Sequence, residues 1–230
     1  MRNLLTTLLL TLLCCFAKAA VQEPALLPMP QKVAYAGKYA KATNPVKEKI
    51  VGNINGAVFQ DEAYHIVVGQ NETLVEATTE RGLYWARQTL AQLTIDNKGK
   101  KTLPQCEITD WPAFRIRGYM HDTGRSFIPF DELKKEIEIL SRFKINTFHW
   151  HLTENQAWRM ESKLYPQLNA AKNMERDKGK FYTLKQAAEL ADFCRAHNMT
   201  LIPEIDMPGH SAAFERTFGF GMQTEEGKRI

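Results

Sequence analysis

The second half of the chain constrains the fold most, because an apolar strand-like run ending in ionisable side chains occurs there twice. The first run is 146–159 and the second is 200–210, with a helix-like segment between them. A strand–helix–strand succession predicts a parallel sheet. Polar groups at the carboxyl ends of parallel strands are typical of β/α-barrel enzymes. This pattern therefore predicts an enzyme rather than a simple binding module.

The first run predicts a strand with one buried and one polar face. Because side chains alternate along a strand, His149 and His151 share one face and Phe148 and Trp150 the other. We interpret Trp150 as a core residue. The loop that follows is crowded with polar side chains: Glu154, Asn155, Gln156 and Arg159.

The second run ends in a similar polar cluster. Glu204 and Asp206 share a face, and a Pro-Gly turn leads to His210. We expect the two carboxylates to brace the end of the strand. The helix between the runs begins with a capping box of Thr183 and Gln186. Its apolar stripe includes Cys194, which we expect to be a buried free thiol rather than one half of a pair with Cys106.

A third strand and helix precede these elements. The segment 115–122 reads as a strand followed by a polar turn, and apolar residues recur at helical spacing over 133–143. The resulting order, β-α-β-α-β, predicts that 110–230 begins a (β/α)8 barrel. A complete barrel takes about 250 residues, and three parallel strands alone leave an open edge. We therefore expect a barrel truncated after about three strands, with 224–230 as the start of another helix. An unusual three-stranded domain is the weaker alternative.

The first part of the chain, 20–109, reads as a small α+β domain without visible chemistry. A strand over 63–69, a partner over 74–77 and a helix over 83–93 follow from the apolar spacing. We interpret the charged run 97–101 as a solvated turn.

The first 19 residues read as a secretory signal peptide. A Leu-rich core over 4–16 precedes Ala17-Lys-Ala19, a small-x-small cleavage pattern. We expect export to the periplasm or the medium. Lipid attachment at Cys14 or Cys15 is the weaker alternative, because bulky leucines precede them.

Composition narrows the range of partners. The formal charge of +4 falls to +2 when the two basic leader residues are lost, and no Lys/Arg run stands out. Nucleic acid is therefore not an expected partner. After residue 20 no apolar stretch is long enough to span a bilayer. The sequence does not indicate an oligomeric state.

Four segments of the chain form recognisable motifs: Asp110-Trp-Pro-Ala-Phe-Arg-Ile-Arg-Gly-Tyr-Met-His-Asp-Thr-Gly-Arg125, Phe148-His-Trp-His-Leu152 with Gln156-Ala-Trp158, Pro203-Glu-Ile-Asp-Met-Pro-Gly-His210, and the helix over 81–93. The first three resemble bacterial β-N-acetylhexosaminidases of glycoside hydrolase family 20, and the helix resembles that of the family's accessory domain. The resemblance covers nearly the whole chain after the leader. It implies an N-terminal portion of such an enzyme, acting on terminal non-reducing N-acetylhexosamines of oligosaccharides or glycoconjugates, without cofactor or metal.

The resemblance also implies a mechanism and site residues. These enzymes are exceptions to the two-carboxylate scheme, since the sugar's own acetamide oxygen attacks the anomeric carbon. An adjacent Asp-Glu pair after the fourth strand polarises the acetamide and protonates the leaving group, and that pair is not in this chain. Arg117 matches the arginine that grips sugar hydroxyls, and His210 matches the histidine beside the acid. Glu154, where many members have Asp, pairs with that histidine.

Several nearby residues are expected to play supporting roles, and two alternative functions stay open. The supporting residues are Asp122, Arg125, His149 and His151. Trp158 either walls the site or packs in the core. One alternative is a metal-dependent, amidohydrolase-like hydrolase, because a His-x-His pair at a strand end can bind zinc. The other is a non-catalytic, sugar-binding or structural remnant.

Overall fold

A computed structural model describes residues 23–97 and 99–219, which fall in two compact units, Met1–Ala113 and Phe114–Ile230. The expected leader and the expected helix over 224–230 lie outside the described residues. Asp110, where the sequence suggests that the second domain begins, is the last residue of a strand in the first unit.

The described residues of the first unit form a six-stranded sheet with one α-helix and a 3-10 helix over Gln60–Glu62. The strand order is β1-β6-β3-β4-β2, and β5 pairs with β6. The elements are β1 Lys32–Lys41, β2 Val46–Ile50, β3 Tyr64–Val68, β4 Thr73–Ala77, α1 Glu80–Leu93, β5 Ile95–Asn97 and β6 Lys100–Asp110. The predicted strand pair and helix are confirmed, and the fold is α+β.

The central strands of this sheet bury every second side chain in the core of the first unit. Ile66, Val75 and Ile108 are fully buried and pack in one cluster with Trp85 of α1. Helix α1 lies so close to the sheet that a Cβ on Gly82 would approach the Ala63 carbonyl oxygen to 2.5 Å. Only glycine allows that approach.

The charged run 97–101 differs from the prediction. Lys100 and Lys101 are the first residues of β6, where they pair antiparallel with Asn97 and Asp96 of β5. The lysines are exposed, while Leu103 and Cys106 further along the strand are buried. The interpretation of the whole run as a turn was wrong, because the polar first residues of β6 are themselves paired with a neighbouring strand.

The second unit contains a three-stranded parallel sheet in the order β7-β8-β9. Its elements are β7 Gly118–Asp122, α2 Phe130–Arg142, β8 Thr147–His151, α3 Leu184–Ala196, β9 Thr200–Glu204 and α4 Ala212–Phe218. This confirms the predicted β-α-β-α-β order, the arrangement with which a (β/α)8 barrel begins.

One face of this sheet packs on the helices and the other is open in the described part of the chain. Phe148 and Trp150 are fully buried on the helix side, as predicted, against a cluster that includes Leu133, Ile137, Leu190 and Cys194. On the opposite face Met120, His149 and Ile202 form one cross-strand row, and Met120 and Ile202 are exposed.

Local signals at α3 are also confirmed. Thr183 and Gln186 form the capping box, and Asn198 ends the helix in the left-handed region at a φ of 54°. Cys106 and Cys194 are both buried free thiols. Among residues 23–97 and 99–219, no helix has the length and apolar character needed to cross a bilayer.

Candidate active site

The carboxyl ends of the three parallel strands bring ionisable side chains together. Asp122 ends β7, His151 ends β8 and Glu204 ends β9, and the three residues are direct cross-strand neighbours. They form one row because parallel strands in register end at the same edge. The candidate site that the sequence predicts at the strand ends therefore lies at this edge.

Arg125 is held in this cluster by the turn after β7. Its backbone N–H donates to Asp122 Oδ1 at 2.9 Å, and its Nη1 donates to Asp122 Oδ2 at 2.5 Å. Its Nη2 forms an ion pair with Glu154 Oε1. The side chain is half-exposed. A guanidinium held by two carboxylates and still half-exposed keeps further donors for oxygen acceptors.

Glu154 lies at the centre of the cluster and is 1% exposed. Its backbone N–H donates to the Ala157 carbonyl at 3.0 Å, and its Oε2 accepts from Asn155 N–H at 2.6 Å. A Cβ on Gly124 would lie 2.8 Å from Glu154 Cβ, so the turn after β7 approaches Glu154 closely. Burial of a carboxylate is costly unless it is paired, and the Arg125 guanidinium supplies that pairing.

His210 reaches the same carboxylate from the loop after β9. Its Nδ1 lies 2.6 Å from Glu154 Oε1, and the side chain is half-exposed. The residue adopts a φ of 53°, a left-handed backbone that points to a tightly determined turn. Asn155 anchors the loop, because its Oδ1 accepts from Ala212 N–H at 3.2 Å and its carbonyl accepts from Arg216 at 2.5 Å.

Arg117 does not belong to this cluster, which corrects the prediction. It precedes β7, and its carbonyl accepts from Asn146 and Thr147 N–H at the amino end of β8. Its Nε donates to the Lys144 carbonyl at 2.7 Å and its Nη1 to the Phe114 carbonyl at 2.9 Å. The sheet therefore places Arg117 at the edge opposite Glu154 and His210.

Arg125 is the arginine that the site contains, and the sequence prediction gave it only a supporting role. The available signal was position, since Arg125 follows the carboxyl end of β7 three residues after Asp122. His149 and His151 share a face as predicted, and both contact Glu204.

Arg159 lies away from the cluster, fully buried beneath the loop between β8 and α3. It donates to four backbone carbonyls, those of Thr123, Asp177, Lys180 and Arg176. Burial lowers the pKa of its guanidinium. Burial also raises the pKa of Tyr182, which stacks on Phe127 in the same region, to about 12.

Two groups at this edge have the ligand types for a metal ion. They are Asp122 with His151 and Glu154, and His151 with Glu204 and Asp206. In the first group Arg125 already pairs with both carboxylates, so a positive charge is supplied by the chain itself. In the second group Glu204 is engaged by two histidines. The donor set therefore gives no specific support to the metal-dependent alternative.

The chain matches two family profiles that together cover most of its length. "Glycosyl hydrolase family 20, domain 2" matches residues 31–111, and "Glycosyl hydrolase family 20, catalytic domain" matches residues 114–226. The two matched segments fall in the first and second units of the structure, respectively.

Several similar proteins are described as hexosaminidases. A beta-hexosaminidase of Porphyromonas gingivalis is 37% identical over 167 residues, which are 67% of this chain and 21% of that protein. One of Akkermansia muciniphila is 30% identical over 207 residues, 86% of this chain and 41% of that protein. The chain thus spans less than half the length of these curated relatives. The crystal structure of a beta-N-acetylhexosaminidase from Bacteroides fragilis matches 84% of this chain and 47% of its own, at 27% identity and a TM-score of 0.74.

Proposed function

The chain belongs to glycosyl hydrolase family 20, and on that premise we propose that the whole protein hydrolyses terminal non-reducing β-linked N-acetylhexosamine residues. The substrates are oligosaccharides or glycoconjugates that carry N-acetylglucosamine or N-acetylgalactosamine. The reaction class is glycoside hydrolysis with retention, in which the substrate's acetamide takes the place of an enzymatic nucleophile.

The observation that carries the proposal is the cluster of Arg125, Glu154 and His210 at the carboxyl edge of the sheet. Arg125 is half-exposed and held by Asp122 and Glu154, and the donors that these carboxylates leave over suit the hydroxyls of a terminal sugar. We assign it the sugar-gripping role that the sequence suggested for Arg117. His210 presents Nδ1 to Glu154, which leaves Nε2 for a partner outside the cluster.

In the proposed reaction the acetamide oxygen attacks the anomeric carbon while the bond to the leaving oxygen breaks. A carboxylic acid gives its proton to that oxygen, and the same group later takes a proton from the water that opens the ring intermediate. No strand among residues 23–97 and 99–219 ends in the Asp-Glu pair that would do this. We propose that His210, held by Glu154, orients that acid when it is supplied by the chain that follows β9.

The direct test compares two proteins on a chromogenic N-acetylglucosaminide. One contains the printed 230 residues, and the other continues into the downstream coding sequence. We expect turnover by the longer protein alone. A longer protein that binds the sugar without turnover would favour the non-catalytic alternative, and turnover by the shorter protein would contradict the assigned mechanism.

The matched variants are Arg125→Ala and Arg195→Ala in the longer protein. Loss of one charged hydrogen-bonding group costs about 1.5–3 kcal/mol, or roughly ten- to a hundredfold in kcat/KM. Arg195 is an exposed helix residue that pairs only with neighbouring Asp192 among the contacts of the described chain, so its variant serves as the control. Equal activity of both variants would remove Arg125 from the site.

We also propose that the protein is exported. The Leu-rich segment over 4–16 and the Ala17-Lys-Ala19 pattern support this. N-terminal sequencing of protein from the native host should then begin at Ala20. Soluble cytoplasmic protein with an intact Met1 would contradict export.

A further inference from the structure

Glu204 holds two histidines of the neighbouring strand at the edge of the sheet. Its Oε2 lies 2.5 Å from His149 Nε2, and its Oε1 lies 3.1 Å from His151 Nδ1. The three side chains share one face because His151 and Glu204 are cross-strand neighbours and His149 lies two residues before His151. The Glu204 carboxylate therefore contacts both histidine rings of β8.

The contact with Glu204 determines which edge of the His151 ring faces the site. With Nδ1 on Glu204, the opposite nitrogen Nε2 faces Glu154 Oε1 at 4.0 Å. The side chain is 6% exposed, and its Nε2 makes no hydrogen bond within the described parts of the chain. A histidine ring is oriented by the hydrogen bond that its other nitrogen makes. Glu204 thus orients the His151 ring so that Nε2 faces Glu154.

His151 also contacts His210, the residue that pairs with Glu154. Its ring meets that of His210 edge-on, with centroids 6.1 Å apart and planes at 79°. His151 therefore forms a wall behind both Glu154 and His210, the two groups whose contact is 2.6 Å long. His210 is half-exposed, and its Nδ1 also lies 3.4 Å from Arg125 Nη2. The His151 ring limits its movement on the remaining side of this contact.

We propose that His151, oriented by Glu204, is a positioning residue that keeps the Glu154–His210 pair aligned for catalysis. This role rests on the proposed hexosaminidase function. His151 touches no reacting atom, and it acts by restricting the ring of His210. Since a misplacement of about 1 Å can cost on the order of a hundredfold in rate, a residue behind the pair can influence turnover strongly.

The kinetic test uses the longer protein with His151→Asn, which keeps a donor for Glu204 and removes the edge that faces Glu154. We expect kcat to fall about tenfold while KM stays within about twofold, because Arg125 still grips the sugar. In a His210→Ala background the same substitution should change kcat by less than about twofold, because the two residues act as one unit. Additive losses, or a rise in KM alone, would overturn the proposal.

A second measurement works without turnover and separates this proposal from the proposed function. Diethyl pyrocarbonate modifies exposed imidazoles, and mass spectrometry gives the rate at each histidine. In Glu204→Ala we expect His210 to react at least about threefold faster than in the parent protein, because it is no longer confined. Glu204→Gln, which can still accept from His151, should restore most of the protection. His65, in the first unit, is the internal control.

The outcomes are distinct. If the parent protein hydrolyses no N-acetylhexosaminide, the proposed function fails, and the His210 modification rate still decides the positioning role. A His210 rate in Glu204→Ala within a factor of two of the parent, with His65 also unchanged, would overturn the proposal.

Discussion

Removal of the Arg159 guanidinium should destabilise the second unit more than any surface change. Arg159 is fully buried and donates to four carbonyls at distances between 2.9 and 3.1 Å. Three of these carbonyls belong to the loop between β8 and α3, and the fourth belongs to Thr123, after β7. Arg159→Met keeps a side chain of similar length and removes every donor.

The expected cost follows from the carbonyls left behind. A hydrogen bond from a charged donor contributes about 1.5–3 kcal/mol, and an unsatisfied buried group costs about 1–3 kcal/mol. The four hydrogen bonds share one guanidinium, so their contributions are not additive, and the variant also relieves the burial of a charge. We therefore expect a loss of about 3–5 kcal/mol, within the range for breaking a buried ionic network.

Urea denaturation followed by tryptophan fluorescence measures this loss, since Trp150 and Trp158 lie in the second unit. Arg195→Met is the matched control, because Arg195 is about two-thirds exposed and makes an exposed pair that should contribute less than about 1 kcal/mol. A midpoint shift of the same size in both variants would refute the reasoning, since it would mean that the buried carbonyls find water or other donors without cost.

Two further predictions follow from close approaches and burial. Gly124→Ala should displace Glu154 and reduce turnover of the longer protein at least about tenfold, because the new Cβ would lie 2.8 Å from Glu154 Cβ. Gly118→Ala, whose nearest contact would be an ordinary 3.8 Å, should not, and equal activities would contradict the prediction. Burial raises the pKa of Cys106 to about 11 and of Cys194 to about 12, so at pH 8 both remain thiols and native protein should resist a disulfide-exchange reagent until urea is added. Prompt labelling of Cys106 or Cys194 by that reagent in the native protein, localised by mass spectrometry, would contradict this prediction.

The sequence predicts the centre of each sheet better than its edges. β3, β8 and β9 carry apolar alternation or polar ends that can be read locally, and the structure confirms them. β1 and β2 are edge strands with mostly exposed side chains, so no burial pattern marks them. β2 pairs in parallel with β4, more than 20 residues away, and such a contact leaves no local signal. Lysines on these edges also fit the general protection of edge strands against pairing with other chains.

The wrong prediction for Arg117 shows that the local sequence pattern alone does not identify the arginine of the candidate site. The segment before β7 alternates apolar and basic residues, so the sequence extends the strand back to Arg115, whereas the structure begins it at Gly118. A strand of five residues spans about 16 Å at roughly 3.3 Å per residue. Arg117 and Arg125 therefore lie at opposite edges although only eight positions separate them. In a parallel sheet only the carboxyl edge collects the side chains at the strand ends. The direction of the strand, and not the kind of residue, therefore decides which arginine lies in the candidate site.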